Sequence, residues 1–194
     1  MRLLGGELCL DFANSVDWSG DGKERADETE TLRTPTDLIE WGRRAGIVDP
    51  HGRLQVTPGE LAAARRLRRA IHHVFLATAR EEAPDVSALS LLRRTFAQAF
   101  AAATLERRHD GWRVQWERDD QRCIRFAVAV SAVDLLRDDA RSERVRMCPG
   151  TDCGWLFLDA SGRRRWCSMD MCGSREKMRR HYRRRRARVR SSAQ

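Results

Sequence analysis

Four of the six cysteines fall as two like-spaced pairs within CPGTDCGWLFLDASGRRRWCSMDMCGSREK: Cys148 and Cys153, then Cys167 and Cys172, four residues inside each pair and thirteen between pairs. Four thiolates brought together suit Zn²⁺, a d¹⁰ ion that accepts tetrahedral sulfur ligation and leaves no position open for water. Such a centre is structural, and in so short a segment metal binding supplies much of the folding free energy. Two disulfides are the competing reading, with three possible connectivities. It is the weaker one, because MRLLGGELCLDF lacks the apolar core and cleavage site of a secretory signal and a reducing cytosol disfavours structural disulfides. Cys9 and Cys123 stand alone in apolar surroundings and read as buried small hydrophobes.

Something must bring the pairs together. Each sits in a turn-forming segment, and WLFLDASGRRRW between them predicts a β-hairpin turning at Asp159 to Gly162. GSREKMRRHYRRRRARVR follows without proline and predicts a helix, with Ser174 as N-cap, Glu176 in its first turn, and Met178 and Tyr182 able to pack back on the hairpin. Knuckle, hairpin and helix make a treble-clef-like zinc module.

The same residues resemble the CGNR zinc-finger family, whose bacterial members join an N-terminal ABATE domain to a C-terminal finger. The resemblance rests on RMCPGTDCGWLFLDASGRRRWCSMDMCGSREK: the C-x₄-C pair, the hydrophobic-Phe-hydrophobic-Asp stretch, RxWCSM, and Cys172-Gly173-Ser174-Arg175. The family motif has Asn where this chain has Ser174; if that side chain caps the helix, Asn and Ser serve about equally. LCLDFANSV and LRTPTDLIEWGRRAGIVD are similar, more loosely, to the start of an ABATE domain. The resemblance implies a stress-linked transcription regulator.

Charge divides the 194 residues unevenly. Residues 141–194 hold 16 of the 37 Lys and Arg but 5 of the 28 Asp and Glu, a balance of +11 that leaves −2 for residues 1–140. We therefore expect a nearly neutral domain over 1–140, able to sense a small-molecule effector or form a homodimer, and a cationic finger over 141–194. Arginine forks suit phosphate. Arg175, Arg179, Arg183 and Arg186, at spacings of four, four and three, make one stripe; Lys177 and Arg180 flank it, and Arg163, Arg164 and Arg165 could extend it. Double-stranded DNA is the leading partner, read by a transcriptional regulator. An RNA-binding or ribosome-associated protein is the alternative, favoured if Trp155, Phe157 and Trp166 are exposed for stacking, as is a zinc-stapled protein-interaction module. No apolar run approaches a membrane span, so a cytoplasmic protein is expected. No Gly-rich phosphate loop, nucleophile elbow or helical His/Glu metal pair is present, so no catalysis is expected.

The remainder predicts a mainly α body with a small β element. The segment before Asp17 reads as a strand or a short buried helix, with Asp11 and Asn14 capping local backbone. A loop follows from Trp18 to Thr31. Thr34-Pro35 and Thr57-Pro58 start helices; the first ends at Gly46, and the second buries Leu61, Ala64, Leu67, Ile71, Val74 and Phe75, with His72 and His73 partly buried rather than ligands. After Pro84-Asp85, Leu89, Leu92, Phe96, Phe100 and Ala103 predict a helix face. Trp112, Val114 and Trp116 predict a strand pairing with Cys123 to Phe126, ahead of a helix over Ala127 to Asp138.

Overall fold

Thr34 accepts the amide of Asp37 while the Asp37 carboxylate accepts the Thr34 amide at 2.6 Å, so a capping box begins one helix as its sequence predicts. The computed structural model describes residues 2–117 and 119–191, and for Arg108 and residues 184–191 their backbone only. Eight α-helices are found among them: α1 Leu8–Ala13, α2 Ala26–Thr29, α3 Pro35–Arg44, α4 Pro58–Ala79, α5 Val86–Ala101, α6 Cys123–Arg137, α7 Asp139–Ser142 and α8 Ser174–Ser191. Two antiparallel pairs accompany them, β1 Thr104–Arg108 with β2 Gly111–Gln115, and β3 Val145–Met147 with β4 Leu156–Leu158. The protein is mainly α with a small β element and a C-terminal treble-clef-like finger.

The long α4 is the spine. Leu61, Ala64, Leu67, Ile71 and Phe75 enter one core with Leu10 and Phe12 of α1, Trp41 of α3, and Ile124, Val128, Ala132 and Leu135 of α6. Arg68, fully buried on α4, holds Glu24 at 2.6 Å and Glu30 at 2.6 Å, which ties the loop from Asp17 to Leu32 against the helix. That loop is not featureless. Trp18 within it is buried and stacks on His72 at 3.6 Å between ring centroids.

Three expectations need correction. β2 pairs backward with β1 (Leu105 opposite Val114, Arg107 opposite Trp112), because His109-Asp110 with Gly111 at φ +124° forms a tight turn. Cys123 to Phe126 instead opens α6. The buried face of α5 is Ala88, Leu92, Thr95 and Ala99, one position away from the stripe its larger side chains suggest, and Phe100 is 66% exposed. The finger's hairpin also lies elsewhere: β4 pairs with β3, around the first cysteine pair, and not with Arg163 to Trp166. Val145 and Met147 alternate inward to meet Leu158 and Leu156, whereas the arginine run has no apolar side to offer. The Asp159 turn does form, and its carboxylate accepts the amides of Arg163 (3.1 Å) and Arg164 (3.0 Å).

Candidate metal centre and its seat on the helical body

The first pair of cysteines occupies the loop of the β3–β4 hairpin. Cys148 donates its amide to the Trp155 carbonyl (2.9 Å) and Cys153 to that of Gly150 (3.0 Å), so the chain folds back within six residues. Gly150 is needed there: a Cβ would stand 3.0 Å from the Cys172 Sγ and 3.4 Å from that of Cys148. The second pair straddles the entry to the last helix. A π-helical turn, Met169–Gly173, leads without a break into α8, so Cys172 sits inside the helical spiral. Ser174 is therefore not an N-cap; its hydroxyl donates backward to the Asp170 carbonyl at 2.6 Å. Helix formation is already under way five residues earlier, which explains why the cap is not needed.

The four Sγ atoms lie within 4.8 Å of one another, with Cys153 to Cys167 at 3.8 Å and Cys167 to Cys172 at 3.5 Å. A tetrahedron of sulfurs about 2.3 Å from one ion has edges of about 3.8 Å. The donor set thus fits a single zinc, and none of the four is bridged in a disulfide. Charge makes the same case. Hydrogen bonds from Cys153 and Cys167 hold Cys148 far below an ordinary thiol, while their contact with Cys148 pushes Cys153 and Cys167 up. Four adjacent thiols cannot all ionise unless a cation offsets them. The residues that would hold zinc are Cys148, Cys153, Cys167 and Cys172, and the ion would supply cohesion and no open coordination site. Cys9 and Cys123 lie outside the cluster, and it is burial foremost, not a neighbouring thiol, that pushes their pKa values up to about 12 and about 11.

Trp155, Phe157 and Trp166 pack around the cysteines, Phe157 at 1% exposure and both tryptophans partly buried. Arg164 is turned inward. Its guanidinium donates to the carbonyls of Cys167 (2.5 Å), Trp166 (3.1 Å) and Leu4, and lies over the Phe157 ring at 4.5 Å. It braces the second knuckle against the N-terminal segment. Arg163 and Arg165 remain exposed, as do Arg175, Lys177, Arg179, Arg180 and Arg183 along α8. The side chain of Arg186 lies outside the described residues. Met178 and Tyr182 do not pack back on the hairpin; they are 58% and 56% exposed. By helical spacing they border the arginine stripe.

The finger rests on the body through buried polar contacts that sequence spacing could not reveal. Asn14, at the end of α1, donates to the Leu156 carbonyl (2.7 Å) and accepts the Leu156 amide (3.0 Å), acting as a strand partner for β4 rather than a local cap. Gly5 accepts the Leu158 amide at 2.7 Å, and Trp155 donates to Asp17 at 2.9 Å. His72 Nε2–H donates to the Gly154 carbonyl at 2.9 Å, the only role open to it opposite a carbonyl, and burial drives its pKa down to about 3. Its neutral ring is a structural brace. Val145, Leu156 and Leu158 complete the interface as members of the body's own core.

Replacing Asn14 with Ala would orphan a buried amide and a buried carbonyl of Leu156. We expect a loss of roughly 2–4 kcal/mol in urea unfolding with zinc content unchanged. A change within about 0.5 kcal/mol, the scatter of ordinary surface substitutions, would show that the clamp does not hold the finger.

Residues 6–139 match the ABATE family, described as "putative stress-induced transcription regulator", and residues 144–185 match the CGNR zinc finger. No curated protein matches the chain. Among the described residues no helix is long and apolar enough to cross a membrane.

Proposed function

The chain belongs to the ABATE family and carries a CGNR zinc finger, and from that premise we propose that it is a cytoplasmic DNA-binding transcriptional regulator. The observation that carries the reading is the exposed row Arg175, Arg179 and Arg183 on a helix whose start is fixed by a metal ligand. A rigid origin matters because phosphates are fixed in space, and guanidiniums pre-placed along one helix face lose less freedom on meeting them. Lys177, Arg180, Arg163 and Arg165 add charge around the row, while Met178 and Tyr182 offer apolar contact beside it. Arg164 is left out of this surface, since its donors serve the knuckle.

We assign residues 1–140 to signal reception or dimerisation and 141–194 to nucleic acid. Stacking of unpaired RNA bases is less well served, because Trp155, Phe157 and Trp166 pack around the cysteines. The test is the dependence of duplex affinity on salt. Three arginine–phosphate contacts predict a log–log slope of about −2.7, or steeper with the flanking cations. A salt-insensitive complex, or binding to structured RNA alone, would overturn the DNA reading.

A further inference from the structure

Residues 174–191 of α8 hold ten Lys and Arg against one Glu. Arg175, Arg179 and Arg183 repel one another at four-residue spacing, a cost that a polyanion removes. Every residue from Lys177 to Arg183 is exposed, so the described residues leave this stretch of helix uncovered on all sides. Two of its exposed side chains are large and apolar. Met178 is 58% and Tyr182 56% exposed, one helical turn apart, and an anion alone gives them nothing to bury against.

The order of side chains around the helix says what partner fits. At about 100° per residue, Met178 and Tyr182 share one line, about 40° apart, with His181 at its edge. Arg175, Arg179 and Arg183 lie about 60° to 140° to one side of Met178, and Lys177 and Arg180 about 100° to 160° to the other. The apolar line is thus walled by cations on both sides. By backbone position Arg185 continues that line about two turns beyond Met178. The major groove of duplex DNA has the complementary order, with phosphates along both walls and base edges, thymine methyls among them, on its floor. Its width of about 12 Å admits one α-helix of about 10–12 Å. The major groove of duplex RNA is too narrow and deep, and a second copy of α8 would set one arginine row against another.

We propose that α8 lies in the major groove with Met178 and Tyr182 against its floor, where they select thymine by its C5-methyl group. The inference rests on the DNA reading and adds to it a base preference and the two residues that carry it. Arginine–phosphate contacts form at any sequence, so the cationic rows supply affinity without choice. A methyl group held against a thioether and a phenol ring leaves water, and cytosine has no methyl at that place.

Uracil differs from thymine only by that methyl, which gives a direct test. Zinc-loaded full-length protein would select duplexes from a random library, and each enriched duplex would be compared with a copy carrying uracil for thymine at one salt concentration. The expected result is thymine within the enriched site and an affinity lower by roughly fourfold for each contacted methyl removed. Met178→Ala with Tyr182→Ala should keep zinc and helix, since both side chains are exposed and alanine is the best helix former. That variant should bind the thymine duplex as weakly as the native chain binds the uracil one, and no longer tell them apart. Met178→Leu with Tyr182→Phe should preserve the preference. Salt-dependent binding that is equal for thymine and uracil duplexes, or a methyl preference that survives the alanine pair, would overturn the inference and leave the DNA reading standing. No duplex binding by the native chain would overturn both.

Discussion

Replacing Cys172 with serine should empty the metal centre, unfold the finger and abolish nucleic-acid binding together. Cys172 is the ligand inside the helical spiral, so its loss removes both one quarter of the coordination and the anchor that fixes where α8 begins. Apparent binding free energies of structural zinc run to about 10–16 kcal/mol, and a centre reduced to three thiolates forfeits a large part of that. The damage should reach the body, because Leu156 and Leu158 belong to its core and Asn14 pairs with the backbone of Leu156. A loss of roughly 3–5 kcal/mol would lower the thermal midpoint by about 10 °C in a chain of this size. Most of the helical circular-dichroism signal should nevertheless persist, since α3 to α6 keep their own apolar contacts. Elemental analysis after gel filtration and a thermal melt check both parts; a Cys172→Ser protein that retains one zinc per chain would show that the four-thiolate assignment is wrong.

What the sequence conveyed and what it did not follow from the range of the interactions involved. The zinc ligands were legible because their spacing is itself the signal, and α3 and α4 because Thr34 and Thr57 cap them within three residues. The partner of β4 was not. WLFLDASGRRRW alternates and turns like a hairpin, but the choice between β3 and the arginine run depends on which can bury an apolar side against α1 and α4, and that is decided by tertiary contact. Asn14 illustrates the same limit, its partner lying 142 residues away. Nothing local announces that His72 is fully buried, that Trp18 stacks on it or that the Gly154 carbonyl accepts its Nε2–H hydrogen bond. Arg164 looked like its neighbours, yet the Asp159 turn points it inward while Arg163 and Arg165 face solvent.

Reversing the charge of Arg179 and Arg183 should have an equally large effect on binding and almost none on structure. Both side chains are exposed, they lie one and two turns beyond the last cysteine's turn of helix, and neither takes part in the metal centre. Arg179→Glu with Arg183→Glu removes two cationic contacts and places two carboxylates against phosphates. At an effective dielectric appropriate to a surface, that combination costs roughly a hundredfold or more in affinity at low salt. Zinc content and thermal midpoint should match the native protein, apart from shifts of a few tenths of a kcal/mol expected at exposed helix positions. The contrast with Cys172→Ser separates the two jobs, with the metal making the helix and the helix making the contact.

The most direct measurement is the duplex affinity of the zinc-loaded Arg179→Glu, Arg183→Glu protein beside the native chain at one low salt concentration, with metal content determined on the same samples. One zinc per chain in both and an affinity lower by roughly a hundredfold in the variant is the predicted result. One zinc per chain with unchanged affinity would make the stripe a solvated face and contradict the assignment of α8 as the surface that meets nucleic acid.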